Sequence, residues 1–280
     1  MSHHVRNMST DEVRVYLDAH KPSEYTLLDV RQDWEYEEFH LPGAKLIPVA
    51  ELADRMDEVD RDKPVVAYCA SGMRSLAAAS LLDGQGFGDV TNMVGGAMAW
   101  EGDAAFGPVD LGMIVFSGDE TPREVVFKAY AMEQNLQNFY LRRAETEAGG
   151  ELKSLFEELA GFEEVHKKTL YNIYGRVAEE KMDREAFEAK ALSEAGELTE
   201  GGVDIDAFLD EYGESLGREQ GVFHLAAMVE TQALDYYLRC AERMDKPETK
   251  DLFQLLAREE KAHLKLLAKF MDKRGGGRGN

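Results

Sequence analysis

Two glutamate–histidine pairs in this chain share one spacing. Glu163 and His166 lie three residues apart, and Glu260 and His263 repeat that spacing 97 residues later. Residues three apart on an α-helix lie on the same face, so each pair can offer a carboxylate and an imidazole to one point. Iron, manganese and zinc ions accept such ligands. A single pair would be explained equally well as part of a solvated helix face, so the repetition carries the prediction of a metal site.

The pairs lie in an ungapped internal repeat. KSLFEELAGFEEVHKKTL at 153–170 aligns with KDLFQLLAREEKAHLKLL at 250–267. The same offset places Glu133 on Glu230, each within an apolar stretch where an unpaired charge would be costly to bury. Glu and Glu-x-x-His, occurring twice on four helices, is the ligand pattern of dinuclear metal sites in helix bundles. The predicted ligands are Glu133, Glu163, His166, Glu230, Glu260 and His263.

Cys69 is the second candidate for chemistry. It ends the apolar run PVVAYC and is followed by ASGMRS and a helical stretch. Backbone amides at a helix N-terminus lower the pKa of a thiol, and Arg74 adds a positive charge. Such a thiolate is a nucleophile suited to anionic sulfur compounds. From position alone, Cys69 is equally explained as a small buried thiol at a strand end, and Cys240 is interpreted as a packed thiol with a sulfur-accepting role as the alternative.

Residues 1–107 alternate short apolar runs with amphipathic stretches. A capping box at 9–12 predicts a helix start, and the runs at 25–30, 44–49 and 64–69 predict strands. Strands that alternate with helices favour an α/β domain around a mostly parallel sheet.

The chain changes character after Gly107. Residues 108–120 are interpreted as a linker, and 274–280 as a disordered tail. Thr121 to Glu124 combine an N-cap, a proline at the first helical position and a glutamate at the third. The predicted long helices span 122–147, 150–181, 217–245 and 247–273, and a short helix is expected within 182–216. Four helices with one long crossover predict an all-α bundle of the ferritin type over 121–273.

The amino-acid composition limits the classes of binding partner. The chain has 54 acidic and 32 basic residues, a formal net charge of −22, which argues against binding to nucleic acid or to an anionic membrane surface. No apolar run approaches the length of a membrane span. Two cysteines without a C-x-x-C motif exclude a disulfide scaffold and favour the cytoplasm.

Three segments, in order, resemble the rhodanese domain over about residues 9–104: LLDVRQDWEYEEFHLPGAKLIPVAEL, AYCASGMRS and GFGDVTNMVGGAMAW. The resemblance implies that Cys69 carries a persulfide and that Arg74 holds an anionic substrate. The residues implied to line or support the substrate pocket are Ala70, Ser71, Gly72, Met73, Asp29 and Arg31, whereas Glu35 and His40 are interpreted as structural. The six-residue loop from Cys69 to Arg74 is the length that this family uses for sulfur rather than phosphate substrates. Thiosulfate, polysulfide, glutathione persulfide or a protein persulfide are the implied donors, and thiols the acceptors.

Residues 121–273 resemble the ferritin-like domain of the rubrerythrin family, with the six predicted ligands at its metal positions. This implies a dinuclear iron cofactor (manganese or zinc being alternatives), reaction with peroxide or oxygen, an external electron donor and a homodimer. The chain departs from that family at Ala233, where an additional carboxylate is typical, and in having no rubredoxin domain.

Together these features predict a sulfurtransferase fused to a di-iron oxidoreductase acting in sulfur or oxidative-stress metabolism. The two activities could be coupled, with Cys69 persulfide supplying electrons or sulfur to the metal site, or could operate in parallel. The alternative is an iron-binding or storage protein whose rhodanese domain senses reactive sulfur.

Overall fold

The computed structural model of the protein describes residues 5–105, 120–147, 150–178, 181–193 and 219–275. These residues form two compact units, an α/β unit and a helical unit that begins at Glu120. Most of the predicted linker and residues 276–280 of the predicted tail lie outside the described residues. Within the described ranges, no helix combines the length and the apolar character needed to cross a bilayer.

A five-stranded sheet forms the centre of the first unit. Its strands are β1 (Arg6–Ser9), β2 (Thr26–Asp29), β3 (Lys45–Leu46), β4 (Val65–Tyr68) and β5 (Val90–Val94). The order is β1-β5-β4-β2-β3, and every adjacent pair is parallel. The prediction of a mostly parallel sheet is therefore confirmed.

Two strands differ from the sequence-based expectation. Strand β1 was not predicted, because RNMS at this sheet edge is mostly exposed and lacks an apolar run. Strand β3 covers only two residues of the predicted run 44–49, which reaches Pro48, a residue that cannot donate to a strand ladder.

The helices of the first unit are α1 (Thr10–Ala19), α2 (Asp33–Glu38) and α3 (Met73–Gly84). The predicted capping box opens α1, since the Ser9 side chain accepts a hydrogen bond from the Glu12 amide. Strand β4 is buried along its whole length, as is usual where helices cover both faces of a parallel sheet. Cys69 follows β4, so it lies at the carboxyl edge of the sheet, just before α3.

The second unit is helical. Its helices are α4 (Pro122–Thr146), α5 (Glu151–Val177), α6 (Arg184–Ser193), α7 (Glu219–Arg243) and α8 (Pro247–Gly275). Thr121 caps α4 with the predicted box to Glu124, and the short helix expected in the crossover is α6. These elements confirm an all-α C-terminal region with four long helices.

Helix α5 ends four residues before its predicted terminus at 181. The hydroxyl of Tyr171 donates to the Met182 carbonyl at 3.1 Å, and the Met182 amide donates to the Tyr174 hydroxyl at 3.3 Å. These bonds fold the chain back onto α5 and end the helix. Helix α8 instead continues two residues beyond 273.

Glu120, assigned to the linker by sequence, packs on the helical unit. Its side chain is buried and forms an ion pair with Lys128 at 2.6 Å, and its carbonyl accepts from the Thr249 hydroxyl at 3.2 Å. Residues 108–120 stay a predicted linker, and Glu120 at its end contacts the helical unit, where Lys128 offsets the cost of burying the carboxylate.

Two apolar clusters form the core of the bundle. One contains Phe127, Tyr174, Phe187, Tyr237 and Phe253, and the other contains Phe139, Phe156 and Phe223. On each of the four long helices, the predicted metal ligands lie between residues of these two clusters. The bundle thus places a polar layer inside an apolar core.

Candidate active site and candidate metal centre

The Cys69 thiol is held by the start of α3. The Gly72 amide donates to Sγ at 3.1 Å, and the Ser75 hydroxyl lies 3.5 Å from it. Burial acts to raise the pKa of the Cys69 thiol, but the Ser75 hydroxyl and the amides of Ser75, Ser71 and Gly72 outweigh it and lower the pKa. The amide contributors therefore include Ser75, which lies outside the predicted 70–74 segment.

Ser75 belongs to a chain of polar side chains behind the cysteine. Its hydroxyl lies 2.7 Å from Oδ1 of Asn92, whose Nδ2 donates to Oδ1 of Asn7 at 2.9 Å. Asn7 thus fixes which end of the Asn92 amide faces Ser75. Sequence reasoning missed these residues because their contacts join β1, β5 and α3, which are distant in sequence.

We expect Ser75→Ala to reduce sulfur transfer at neutral pH by roughly tenfold, because a hydrogen bond to a charged group contributes about 1.5 kcal/mol. Loss of the hydroxyl raises the thiol pKa, so the rise of activity with pH should move to higher pH. The check is the pH dependence of both transfer and alkylation of Cys69 by iodoacetamide. Ser80→Ala on the exposed side of α3 is the control. Unchanged profiles in Ser75→Ala would contradict this role.

Residues 96–98 bind the backbone of the loop that contains Cys69. The Ala97 amide donates to the Cys69 carbonyl at 2.7 Å, and the Met98 amide donates to the Ala70 carbonyl at 2.9 Å. Gly96 precedes them with φ +59° and ψ −158°, a conformation essentially restricted to glycine. A β-carbon there would collide with the Cys69 carbonyl and stand 2.7 Å from the Ala70 carbonyl carbon.

Gly96→Ala is therefore expected to lower the free energy of unfolding by about 3 kcal/mol, combining backbone strain with overpacking. The displaced Cys69 carbonyl should also reduce sulfur transfer. Gly88→Ala is a matched control, since a β-carbon at Gly88 meets no atom within 4 Å. Urea unfolding of the two variants measures the difference, and equal stabilities would disprove the close approach.

Arg74 lies near the Cys69 thiol, and its guanidinium is bound to Glu35. Its two terminal nitrogens each donate to a carboxylate oxygen of Glu35 at 2.7 Å. This ion pair raises the pKa of Arg74 and, despite some burial, lowers that of Glu35; the nearby Cys69 also favours the arginine cation. Glu35, interpreted as structural from the sequence, orients the predicted substrate-binding arginine through this pair. His40, in contrast, is buried and stacks on Tyr36, as a structural residue would.

Asp29 and Arg31 form a buried ion pair behind the loop. The Arg31 guanidinium donates to Asp29 at 2.7–3.0 Å and to the Phe39 carbonyl at 2.7 Å, and it lies over the Tyr68 ring. Both side chains are almost fully enclosed. This geometry suits the supporting role that the resemblance implies for both residues, and a part in the substrate pocket stays a prediction.

The bundle brings the six predicted metal ligands together. Nδ1 of His166 lies 2.9 Å from Glu163 and 3.5 Å from Glu133. Nδ1 of His263 lies 3.0 Å from Glu260 and 3.4 Å from Glu230. The two imidazole rings stack with centroids 3.4 Å apart. Two groups with metal-ligand spacing share His166: one adds Glu133 and Glu163, and the other adds Glu230 and His263.

The electrostatics of this cluster suit a cation. Burial disfavours protonated His166, but the carboxylates of Glu133 and Glu163 outweigh it and raise its pKa well above the usual value. Nδ1 of His166 lies 2.9 Å from Oε2 of Glu163, but the contact lacks hydrogen-bond geometry, so both buried atoms and the buried Oε2 of Glu230 are without a hydrogen-bond partner among the described residues. Four carboxylates and two imidazoles with such unsatisfied atoms fit a dinuclear iron or manganese site.

A pocket reaches the ligand layer. It is lined by His166, Glu230 and His263 together with Tyr140, Phe162 and Leu266. Tyr140 is buried in the core of the bundle and also lines this pocket. Cys240 lies in the core instead, and burial raises the pKa of its thiol to about 12, which suits a packed thiol and disfavours a sulfur-accepting role.

Lys167 is a buried cation that sequence reasoning did not single out. Its ammonium donates to Gln134 at 2.8 Å and to Gln137 at 2.7 Å. Lys167 follows ligand His166 and Gln134 follows ligand Glu133, so these bonds tie α4 to α5 beside the ligand layer.

Comparisons with known proteins match both units. The family model described as a rhodanese-like domain matches residues 9–103, and the rubrerythrin model matches residues 222–279. The Bacillus subtilis protein YtwF is 39% identical over 99 residues, which are 35% of this chain and 93% of that protein. The thiosulfate sulfurtransferase GlpE of Pseudoalteromonas translucida is 41% identical over 75 residues, 27% of this chain and 71% of the relative. A rhodanese-like domain protein from Staphylococcus aureus is 32% identical and aligns with 34% of this chain and 91% of its own, at a TM-score of 0.32.

Proposed function

Because the chain belongs to the rhodanese family through its first unit and carries a rubrerythrin domain in its second, we propose that it is a sulfurtransferase that works through a Cys69 persulfide. One observation carries this proposal: Cys69 lies at the edge of a parallel sheet with its pKa lowered by the amides and hydroxyl that begin α3. A thiolate in such a setting attacks sulfur electrophiles at neutral pH.

The reaction proceeds in two displacements. The Cys69 thiolate attacks the outer sulfur of thiosulfate, the sulfur–sulfur bond breaks, and sulfite leaves with the bonding electron pair. An acceptor thiolate then attacks the outer sulfur of the Cys69 persulfide, and Cys69 leaves as the thiolate. The amides of Ser71, Gly72 and Ser75 supply hydrogen bonds to the anionic sulfur in both steps.

Arg74 balances the charge of the sulfur donor. Glu35 forms two parallel hydrogen bonds with the Arg74 guanidinium and fixes its orientation. The ion pair as a whole carries no net charge. The Arg74 cation acts on an anionic donor at short range, since Arg74 lies near enough to Cys69 for the thiol to favour its charged form. Arg74 serves as a positioning group for the anion.

In the second unit, the six ligands Glu133, Glu163, His166, Glu230, Glu260 and His263 would hold two iron ions. Bound iron would supply redox chemistry toward peroxide or oxygen. The chain's own contribution is to exclude water with the two apolar clusters, to orient the imidazoles by their neighbouring carboxylates, and to admit a small oxidant beside Tyr140. We propose this oxidoreductase role in preference to iron storage because the ligand layer is enclosed between two apolar clusters.

The persulfide can be tested directly. Full-length protein treated with thiosulfate and then digested without reductant should show a mass increase of one sulfur atom on the peptide that contains Cys69. The peptide that contains Cys240 should remain unmodified, since its thiol is buried with a raised pKa. A Cys69 peptide of unchanged mass would refute the proposal.

A further inference from the structure

Large apolar side chains are exposed around the Cys69 loop. We call them the apolar rim: Trp34 (65% exposed), Met73 (73%), Leu76 (37%), Val94 (49%) and Met98 (80%). Among the described residues of the first unit, Val15 is the one other large hydrophobic side chain of similar exposure. Exposed apolar side chains scattered singly need no explanation, but five around one nucleophile form a patch that can bind a partner.

Contacts place each member of the apolar rim beside the loop. The Met98 amide bonds to the Ala70 carbonyl, and the Cα of Val94 lies 3.3 Å from where a β-carbon of Gly72 would stand. Met73 and Leu76 lie in the first turn of α3, and Trp34 precedes the Glu35 that binds Arg74. The five exposed side chains therefore belong to segments that lie next to the Cys69 loop.

The chain segments that carry the apolar rim are acidic. The segments 33–38, 70–77 and 94–103 contain one cation, Arg74, and it is already paired with Glu35. They contain the carboxylates Asp33, Glu35, Glu37, Glu38, Glu101 and Asp103. This surface favours a cationic acceptor segment over an anionic thiol such as glutathione, whereas the small thiosulfate donor is attracted by Arg74 at the loop itself.

We propose that the apolar rim docks a protein thiol acceptor whose cysteine lies in an exposed segment flanked by apolar and basic residues. The inference rests on the proposed function and specifies its acceptor. Docking buries the Met and Trp side chains, and methionine adapts to irregular apolar surfaces. The acceptor thiolate attacks the outer sulfur of the Cys69 persulfide, Cys69 leaves as the thiolate, and the acceptor departs as a persulfide.

The test uses the full-length protein, thiosulfate as donor and three acceptors. They are the basic peptide Lys-Leu-Cys-Leu-Lys and the acidic peptide Glu-Leu-Cys-Leu-Glu, both with blocked ends, and unmodified glutathione. We expect kcat/KM for the basic peptide to exceed that for the other two by at least about tenfold at low salt. The difference in kcat/KM between the two peptides should become smaller as salt screens the charges.

Variants distinguish the contribution of the apolar rim to transfer from that of Cys69. Trp34→Ser combined with Met98→Ser should lower kcat/KM for the basic peptide about tenfold, because two apolar contacts are lost. Transfer to glutathione and to cyanide should be unchanged, and Val15→Ser, an exposed apolar site on α1, should behave as the wild type.

Three results would overturn the proposal. Equal kcat/KM for the three acceptors would show that the rim selects nothing. A change of oligomeric state in the double variant, seen by size-exclusion chromatography, would show that a second copy of this chain covers the rim. The absence of transfer to any acceptor, cyanide included, would instead refute the sulfurtransferase function itself, and with it the docking surface.

Discussion

Cys69→Ser is expected to abolish sulfur transfer, with a fall in kcat of at least about 10⁴-fold, a loss typical of enzymes deprived of their covalent nucleophile. The serine hydroxyl stays protonated at neutral pH, so the amides that stabilise a thiolate have no anion to hold. Steady-state transfer from thiosulfate to cyanide measures the effect without involving the docking surface.

Cys240→Ala is the matched control for this experiment. Cys240 is buried beside Tyr236 with a thiol pKa of about 12, so its removal should leave kcat unchanged and cost only packing energy. Near-ultraviolet circular dichroism should show both variants folded. Transfer that persists in Cys69→Ser, or is lost in a folded Cys240→Ala, would assign the nucleophile elsewhere.

The second large effect concerns metal binding. The double variant Glu163→Ala/His166→Ala should lose iron, falling from about two ions per chain to less than one, because His166 belongs to both groups of ligands. Elemental analysis after anaerobic loading with Fe²⁺ gives the stoichiometry.

Thermal unfolding supplies an independent readout of the same site. Ligand at a thousand times its dissociation constant stabilises a folded protein by about 4 kcal/mol, so iron should raise the Tm of the wild type but not of the double variant. Glu157→Ala, an exposed site on α5, should retain both iron and the rise in Tm. A wild type that binds no iron, or a double variant that still binds two ions, would reject the ligand assignment.

The internal repeat made the candidate metal ligands readable from sequence. Helical spacing fixes that Glu163 and His166 share a face, and a carboxylate in an apolar stretch such as Glu133 requires a partner. Both properties depend only on neighbouring residues, so they can be read without knowledge of the fold. The same holds for the capping boxes at Ser9 and Thr121, whose partners lie three residues away.

Contacts between distant segments were not readable. The Ser75–Asn92–Asn7 chain, the Arg74–Glu35 pair and the contact of Gly96 with the Cys69 loop each join residues between 17 and 85 positions apart. The order of the sheet brings these segments together, because it makes β1 and β4 neighbours of β5 and β2 a neighbour of β4.

The sequence by itself predicted the two units, the nucleophile and the six candidate metal ligands, because spacing within a helix or at a strand end indicates them. Only the tertiary structure decided that Asp29 and Arg31 form a buried ion pair, that Glu35 binds Arg74, and that exposed apolar side chains lie in the segments next to the Cys69 loop. Burial and pairing across distant segments depend on how the chain packs, and the pattern of neighbouring residues does not specify that packing.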